Sequence, residues 1–195
     1  MEEIKEKKHE LRKDIEKRIA VLSEGEFAKK NKAIEQRLFE FANFLEARIV
    51  LFYVNIGCEV ATINLIKKSY EYNKIVVIPI FNRTNNTYKL MKVDNIDTDM
   101  VEGPRKIKEP NPLKCKVVPI ECIDIAIIPA IAMDEKGGRI GPGDGFYDRL
   151  IPELPVTTRK VGLAIENQVI PQIPMESHDK YVDIVITDER VIYKI

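Results

Sequence analysis

The 195-residue sequence has few residues suited to redox or metal–sulfur chemistry, and it has no net charge. It contains three cysteines, two histidines and no tryptophan, and 31 basic residues balance 31 acidic residues. Cys58, Cys115 and Cys122 lack the C-x-x-C spacing of zinc and iron–sulfur sites, and their odd number argues against a disulfide framework. A neutral chain also provides no overall field for nucleic acid or for an anionic membrane, so we expect neither as a partner.

Long apolar runs are also missing. No stretch approaches the length needed to span a membrane, and the first eight residues are charged rather than apolar, unlike a signal peptide. A composition of 45% hydrophobic and 32% charged residues is typical of a globular protein, and the length suits one core. We therefore expect a single domain over residues 1–195 that acts as a monomer in the cytoplasm.

The hydrophobic pattern predicts an α/β fold with a mainly parallel sheet, helices on both faces and two N-terminal helices. Ser23 and Glu26 form a capping-box pattern at the start of the second helix. Short continuous apolar runs predict buried strands, and a strand–helix–strand unit implies a parallel sheet. A stiff polar connection is predicted at 109–112. The predicted helices cover 2–22, 24–46, 61–72 and 144–151, and the predicted strands cover 49–54, 74–79, 87–93, 123–129, 161–165, 182–187 and, at an edge, 190–194.

A glycine-rich segment follows the predicted strand that ends at Pro129. Residues 137–145 hold five of the nine glycines: Gly137, Gly138, Gly141, Gly143 and Gly145. Glycine lets backbone N–H groups turn inward and form an anion site, and the start of a short helix adds positive character. Arg139 contributes a guanidinium that suits phosphate. The segment is neither a Walker A loop nor a Rossmann fingerprint, and a simple glycine-rich turn is the alternative interpretation.

Charged residues elsewhere are candidates for the same site. Asp148 and Asp179 are candidate magnesium ligands, since magnesium prefers carboxylates together with phosphate oxygens; surface aspartates are the alternative. Lys8 and Arg12 lie four residues apart on one helix face and could bind a polyphosphate, although the spacing alone favours a solvated face with helix ion pairs. Glu59 follows the first strand and could accept a hydrogen bond from a ligand ring, or could lie at the start of the next helix.

Several of these motifs occur together, and in the same order, in a known family. The sequence resembles the 5-formyltetrahydrofolate cyclo-ligase family, also called methenyltetrahydrofolate synthetases, over nearly its whole length. The motifs that carry the resemblance are Lys8-His-Glu-Leu-Arg12, Glu59-Val-Ala-Thr62, Val77-Ile-Pro79, Ile128–Asp134, Arg139-Ile-Gly-Pro-Gly-Asp-Gly-Phe-Tyr-Asp-Arg149, His178-Asp179, Asp183 and Thr187.

The resemblance implies a three-layer fold, shared with sugar-phosphate isomerases and CoA transferases, and an ATP- and Mg²⁺-dependent ligase. Such enzymes convert 5-formyltetrahydrofolate to 5,10-methenyltetrahydrofolate and release ADP and phosphate. The implied ATP-binding residues are Lys8, Arg12, Arg139, Gly141, Gly143, Asp144, Gly145, Phe146 and Tyr147. The implied folate-binding residues are Val54, Glu59, Phe81, Phe146 and Tyr147, the metal ligands are Asp148 and Asp179, and the catalytic residues are Arg139, Tyr147 and Asp148.

Two positions depart from the family pattern. Asp144 stands where relatives often have glycine or a basic residue, and Phe146 stands where tyrosine is usual. They leave open a second hypothesis, a diverged relative that binds nucleotide or folate without turnover. A third hypothesis is a related ATP-dependent enzyme that acts on another formylated or pterin-like amine.

Overall fold

The computed structural model describes residues 2–82, 84–103 and 106–194. Within these ranges the helices are α1 (Glu2–Ala20), α2 (Glu24–Glu40), α3 (Ala42–Glu46), α4 (Ile63–Glu71) and α5 (Phe146–Leu150), with 3₁₀ turns at Ile120–Cys122, Ile151–Glu153 and Glu166–Gln168. The strands are β1 (Ile49–Leu51), β2 (Ile75–Asn82), β3 (Thr87–Val93), β4 (Met100–Glu102), β5 (Lys108–Pro110), β6 (Lys116–Val117), β7 (Ile125–Ile128), β8 (Ala132–Met133), β9 (Arg139–Ile140), β10 (Arg159–Leu163), β11 (Ile184–Ile186) and β12 (Val191–Tyr193).

One large sheet organises the described part of the chain. Its eight strands lie in the order β12-β11-β10-β7-β1-β2-β3-β6, and the inner five are parallel. β12, β3 and β6 add antiparallel pairs at the two margins. The chain runs from β1 to β2 in one direction and places β7 on the other side of β1, which makes a topological switch point. A crevice is expected outside the carboxyl ends of the strands at such a point.

The two faces of the sheet are covered unevenly. Buried residues of α1, α2, α3 and α4 pack with one set of strand side chains, including Ile15, Leu38 and Phe44. The other face is covered by α5 and the 3₁₀ turn after it, through Leu150 and Ile151. The predicted α/β fold with a mainly parallel sheet and helices on both faces is confirmed.

The predicted second helix over 24–46 is two helices rather than one. It begins as predicted, with the Ser23–Glu26 capping box present in both directions. It ends because Phe41 adopts an extended conformation (φ −76°, ψ 117°), and the Phe41 N–H bonds to the Leu38 carbonyl. Phe41, at the break, and Phe44, in α3, are both buried in the core.

Other predicted boundaries shift by a few residues, and one segment predicted as a connection begins in a strand. β1 ends at Leu51 rather than at residue 54, and β2 continues to Asn82 because it pairs with β3 from Val76 to its end. The expected stiff connection at 109–112 begins inside a strand instead, since Lys108–Pro110 pairs antiparallel with Met100–Glu102. Among the residues described, no helix is long and apolar enough to cross a membrane.

Candidate functional site

A cleft of about 900 Å³ opens beside the carboxyl ends of β1, β2 and β7. This volume is within the usual range for small-molecule sites. All the residues that the family resemblance implies for a site line it: Lys8, Arg12, Val54, Glu59, Phe81, Arg139, Gly141, Gly143, Asp144, Gly145, Phe146, Tyr147, Asp148 and Asp179.

The glycine-rich segment divides into two parts with different roles. Gly137 and Gly138 form the turn between β8 and β9, where a Cβ atom would lie 2.3 Å from the Val182 carbonyl oxygen or 2.6 Å from the Asp134 carboxylate. These two glycines are therefore explained by packing. Gly141, Gly143 and Gly145 line the cleft, and Gly143 and Gly145 have positive φ angles of 112° and 64°.

Helix α5 follows this loop but is only five residues long, shorter than the predicted 144–151. Gly145 takes the left-handed N-cap position, and no side chain caps the helix. So short a helix makes a limited contribution to the local field. The positive character of this end of the cleft rests chiefly on the side chains of Lys8, Arg12 and Arg139.

Lys8 and Arg12 both point from α1 into the cleft, so they share a face as their spacing predicts. The Arg12 Nε donates to the Gly141 carbonyl at 2.9 Å, which ties α1 to the glycine loop. The Lys8 ammonium lies between two carboxylates, in contact with Asp179 and 3.3 Å from Glu176. The alternative of a solvated face with local ion pairs does not hold for these two residues.

Arg139 and Asp148 form an ion pair on the wall of the cleft. The Nη2–Oδ1 distance is 2.6 Å, and the two side chains are 3% and 18% exposed. Burial lowers the pKa of Arg139, and the charges of Asp148 and Asp179 oppose that change. The Asp148 carboxylate also accepts a hydrogen bond from the Lys180 N–H at 3.0 Å. Within the described residues, the buried Arg139 Nε has no hydrogen-bond partner.

Asp179 lies in a small group of possible metal ligands. Ligand atoms of Glu176, His178 and Asp179 all lie within 4.8 Å of one another. Asp148 is not in that group, although it lines the same cleft. Burial raises the pKa of Asp179, but the Glu176 N–H and the Lys8 ammonium more than offset this, and the pKa is below its usual value. His178 is 65% exposed, so it fits a surface residue.

Glu59 is buried at another part of the cleft, with 2% of its surface exposed. Burial raises its pKa to about 7, against the effect of a hydrogen bond from the Ile56 N–H at 2.9 Å. This bond lies within the loop after β1, so Glu59 does not act as an acid at the start of α4. Tyr147 lies nearby and is partly buried; burial and the Glu59 charge raise its pKa, and Arg139 lowers it.

Aromatic rings form the side of the cleft around Glu59 and Val54. Phe81, at the end of β2, stacks on Phe146 with a centroid separation of 4.6 Å and an interplanar angle of 16°. Tyr147 meets Phe81 edge to face at 5.4 Å. This arrangement provides flat apolar surfaces close to a buried carboxyl group, which suits a planar ligand with polar edges.

Sequence reasoning missed other residues of the cleft. Glu176 and Tyr53 line it, as do Ile107, Lys108 and Glu109 near β5. Glu176 stands three residues before Asp179, and that spacing was the available signal. The β5 residues carried no signal, because their place depends on pairing with β4.

Comparisons with known proteins agree with this arrangement. The solved structure of 5,10-methenyltetrahydrofolate synthetase from Aquifex aeolicus is similar, with a TM-score of 0.83 and 30% identity, covering 96% of this chain and 92% of that one. A probable 5-formyltetrahydrofolate cyclo-ligase from Caenorhabditis elegans is 29% identical over 208 residues, 98% of each chain. A 5-formyltetrahydrofolate cyclo-ligase from Haemophilus influenzae is 29% identical over 175 residues, covering 89% of this chain and 94% of its own.

A sequence model of one family also matches residues 4–188, which span α1 to the end of β11. The match therefore includes both the charged and the aromatic parts of the cleft. The chain belongs to the 5-formyltetrahydrofolate cyclo-ligase family, a family of ligases.

Proposed function

We propose that this protein uses ATP and Mg²⁺ to cyclise 5-formyltetrahydrofolate to 5,10-methenyltetrahydrofolate, with release of ADP and phosphate, as part of one-carbon folate metabolism. One observation carries the proposal: a single cleft joins a cationic, glycine-rich part to an aromatic part that contains a buried carboxyl group. Family membership supports the reaction class. We further propose that residues 1–195 act as a single, monomeric, cytoplasmic domain without nucleic-acid or membrane partners.

The ATP phosphates are assigned to the cationic part of the cleft. Lys8, Arg12 and Arg139 are the cations assigned to the phosphates, Lys5 lies on the same cleft, and the loop Gly141–Gly145 offers backbone N–H groups beside them. Guanidinium and ammonium groups at a partly dry site bind phosphate through charge-assisted hydrogen bonds. Phosphoryl transfer depends mostly on such positioning and charge neutralisation.

The donor set of the cleft also suits magnesium. Asp148 and Asp179 supply carboxylate oxygens, the ligands that a hard cation prefers together with phosphate oxygens. Their present partners, Arg139 and Lys8, are the same side chains that we assign to phosphate. When bound, Mg²⁺ would screen the charge of the phosphates.

The pterin ring is assigned to the aromatic part. Glu59 can accept hydrogen bonds from ring N–H groups when it is ionised, and Phe81 and Phe146 provide stacking surfaces. Their 4.6 Å separation leaves no room for a ring between them, so the ligand stacks against the pair or the two rings part. Tyr147 lies between the two parts, since it contacts Phe81 and is influenced electrostatically by both Glu59 and Arg139.

The chemistry takes place where these two parts meet. The formyl oxygen attacks the γ-phosphorus of ATP, a new O–P bond forms and ADP leaves. The neighbouring folate amine then attacks the activated formyl carbon and loses its proton, the C–O bond breaks, and phosphate departs to leave the cyclic amidinium. Arg139 would stabilise the phosphoryl oxygens. Asp148 would orient Arg139 and also coordinate the metal. Tyr147 would orient the formyl group toward the γ-phosphate.

Asp144 and Phe146, which differ from the family pattern, bear on a second candidate function: a relative that binds nucleotide or folate without turnover. Both residues line the cleft, so the acid does lie beside the proposed phosphate site, and the hydroxyl usual at position 146 is absent. The proposed metal ligands and the loop glycines are nevertheless all present in the cleft, which favours turnover.

The deciding experiment identifies the products. Incubation with ATP, Mg²⁺ and 5-formyltetrahydrofolate should yield methenyl product, ADP and phosphate in equal amounts. Binding of ATP and folate without product would support the non-catalytic relative. Faster turnover of a different formylated pterin, together with weak competition by 5-formyltetrahydrofolate, would support the third hypothesis.

A further inference from the structure

Glu176 is a buried carboxylate of the cleft to which the proposed reaction gives no role. Its side chain is 8% exposed, and its Oε2 lies 3.3 Å from the Lys8 ammonium. Its backbone N–H donates to the Asp179 carboxylate at 2.6 Å. A carboxylate that has lost most of its water requires such partners. The charges of Glu176 and Lys8 therefore stabilise each other.

Lys8 has a particular structural position on α1. The buried apolar residues of this helix, Ile15 and Ile19, lie in its second half, and the partly buried Leu11 packs at its middle. The first half is held against the cleft by polar contacts, those of Lys8 with Asp179 and Glu176 and that of Arg12 with Gly141. The location of the Lys8 ammonium therefore depends on the carboxylates around it.

Asp179 cannot fully neutralise the Lys8 ammonium if its carboxylate also coordinates a metal. A divalent cation on the Asp179 carboxylate repels a nearby ammonium, and both charges are poorly screened in a partly buried cleft. Glu176 would then be the carboxylate that still neutralises Lys8. Resting on the proposed function, we propose that Glu176 is a positioning residue that keeps the Lys8 ammonium at the phosphate end of the cleft and thereby sets the affinity for ATP.

A different role for Glu176 would be direct metal coordination, because its carboxylate lies near ligand atoms of His178 and Asp179. The Glu176 oxygen in contact with Lys8 is 3.3 Å from the ammonium, which a metal at that oxygen would displace. Because the proposed ligand Asp179 also contacts Lys8, the two roles of Glu176 are distinguished by the magnesium requirement, which changes in a Glu176 variant only if Glu176 holds the metal.

The test variant is Glu176→Gln, which removes the charge and keeps the side-chain size. With ATP and MgCl₂ but no folate, calorimetric titration should give a dissociation constant for ATP about tenfold higher than that of the wild type. The KM for ATP should rise by a similar factor, while kcat, the KM for the folate and the Mg²⁺ concentration for half-maximal binding stay the same. Glu10→Gln, on an exposed part of α1, is the matched control and should change nothing.

A double-mutant comparison isolates the pair. In a Lys8→Met background, Glu176→Gln should have no further effect on ATP binding, because the group that it positions is gone. Additive losses, unchanged ATP affinity in the single variant, or a raised magnesium requirement would each overturn the inference, and thermal denaturation checks that each variant is folded.

The titration separates the two proposals. A wild-type protein that binds ATP but forms no methenyl product would contradict the proposed function and still allow the Glu176 comparison. A wild-type protein that turns over, with a Glu176→Gln variant of normal ATP affinity, would contradict this inference alone. Failure of the wild type to bind ATP would contradict both.

Discussion

Arg139 and Asp148 lie 2.6 Å apart in a pair whose arginine side is almost fully shielded from solvent. Lys8 and Asp179 form a second buried pair in the same cleft. In both pairs the cation is a residue that we assign to phosphate, and the acid is one that we assign to magnesium. The two ion pairs therefore hold the charged groups of the proposed reaction close together in an electrically balanced form.

Replacing Asp148 by Asn should lower kcat by at least about a hundredfold, because it removes a metal ligand and weakens the alignment of Arg139. The amide oxygen can still accept from the Lys180 N–H, so the fold should survive, but Tm should fall because buried Arg139 loses its partner charge. Product formation and thermal denaturation measure the two effects. Asp97→Asn, at an exposed site paired with Lys67, is the control, and normal turnover by Asp148→Asn would contradict the assignment.

Arg12 should contribute both charge and geometry to ATP binding. Arg12→Lys keeps the charge but loses the Nε donor to the Gly141 carbonyl, whereas Arg12→Ala loses both. We expect the KM for ATP to rise roughly threefold in the first variant and more than about tenfold in the second, with little change in the KM for the folate. Steady-state kinetics measure both. A wild-type KM for ATP in Arg12→Lys would rule out the role of the Gly141 contact, and equal effects of the two variants would rule out the role of the charge.

Glu59 should make folate binding depend on pH. Its pKa is raised to about 7 by burial, and ring N–H donors favour the ionised form. As pH falls below 7, the KM for the folate should therefore rise, approaching tenfold per pH unit. The KM of Glu59→Gln should be higher and independent of pH between 5.5 and 8, and a pH-independent KM in the wild type would exclude this role.

The same carboxyl group affects stability, with a sign that follows from its raised pKa. Folding takes up a proton between about pH 4.5 and 7, so this group makes the free energy of unfolding fall as pH rises through that interval and adds no further change above it. The difference is on the order of 3 kcal/mol. Denaturant unfolding of Glu59→Gln should lack this decline, and parallel pH profiles for the two proteins would contradict it.

Phe81 should support the folate without affecting ATP. Phe81→Ala removes the ring that stacks on Phe146 and meets Tyr147, so the KM for the folate should rise by about tenfold. The KM for ATP should remain within about twofold. Tyr193→Ala, an exposed aromatic on β12, is the control; a loss in ATP affinity equal to the loss in folate affinity would show that Phe81 acts only through the fold.

Much of this cleft could be predicted because its residues occur in local patterns. Lys8 and Arg12 are one helical turn apart, and Gly141–Gly145 follow a buried strand, so each signal lies within a few residues. The short continuous apolar runs and the strand–helix–strand unit likewise predicted the parallel centre of the sheet. Such patterns identify the groups on one element, but not the partner that each group meets.

The features of the fold and the cleft that could not be predicted depend on contacts between distant segments. The ion pair of Lys8 with Glu176 joins residues 168 apart, and the role of Gly137 depends on the Val182 carbonyl. The helix breaks at Phe41, which is extended and buried in the core, although the local periodicity favours a continuous helix. No spacing rule reports these contacts, since they follow from packing of the complete fold.

The most direct test is the near-ultraviolet absorbance of the methenyl product. In a mixture of the protein with ATP, Mg²⁺ and 5-formyltetrahydrofolate, the absorbance should rise in proportion to protein concentration. It should stay flat when any one component is omitted or when Asp148→Asn replaces the wild type. A flat trace from folded wild-type protein that binds both ATP and the folate would contradict the account.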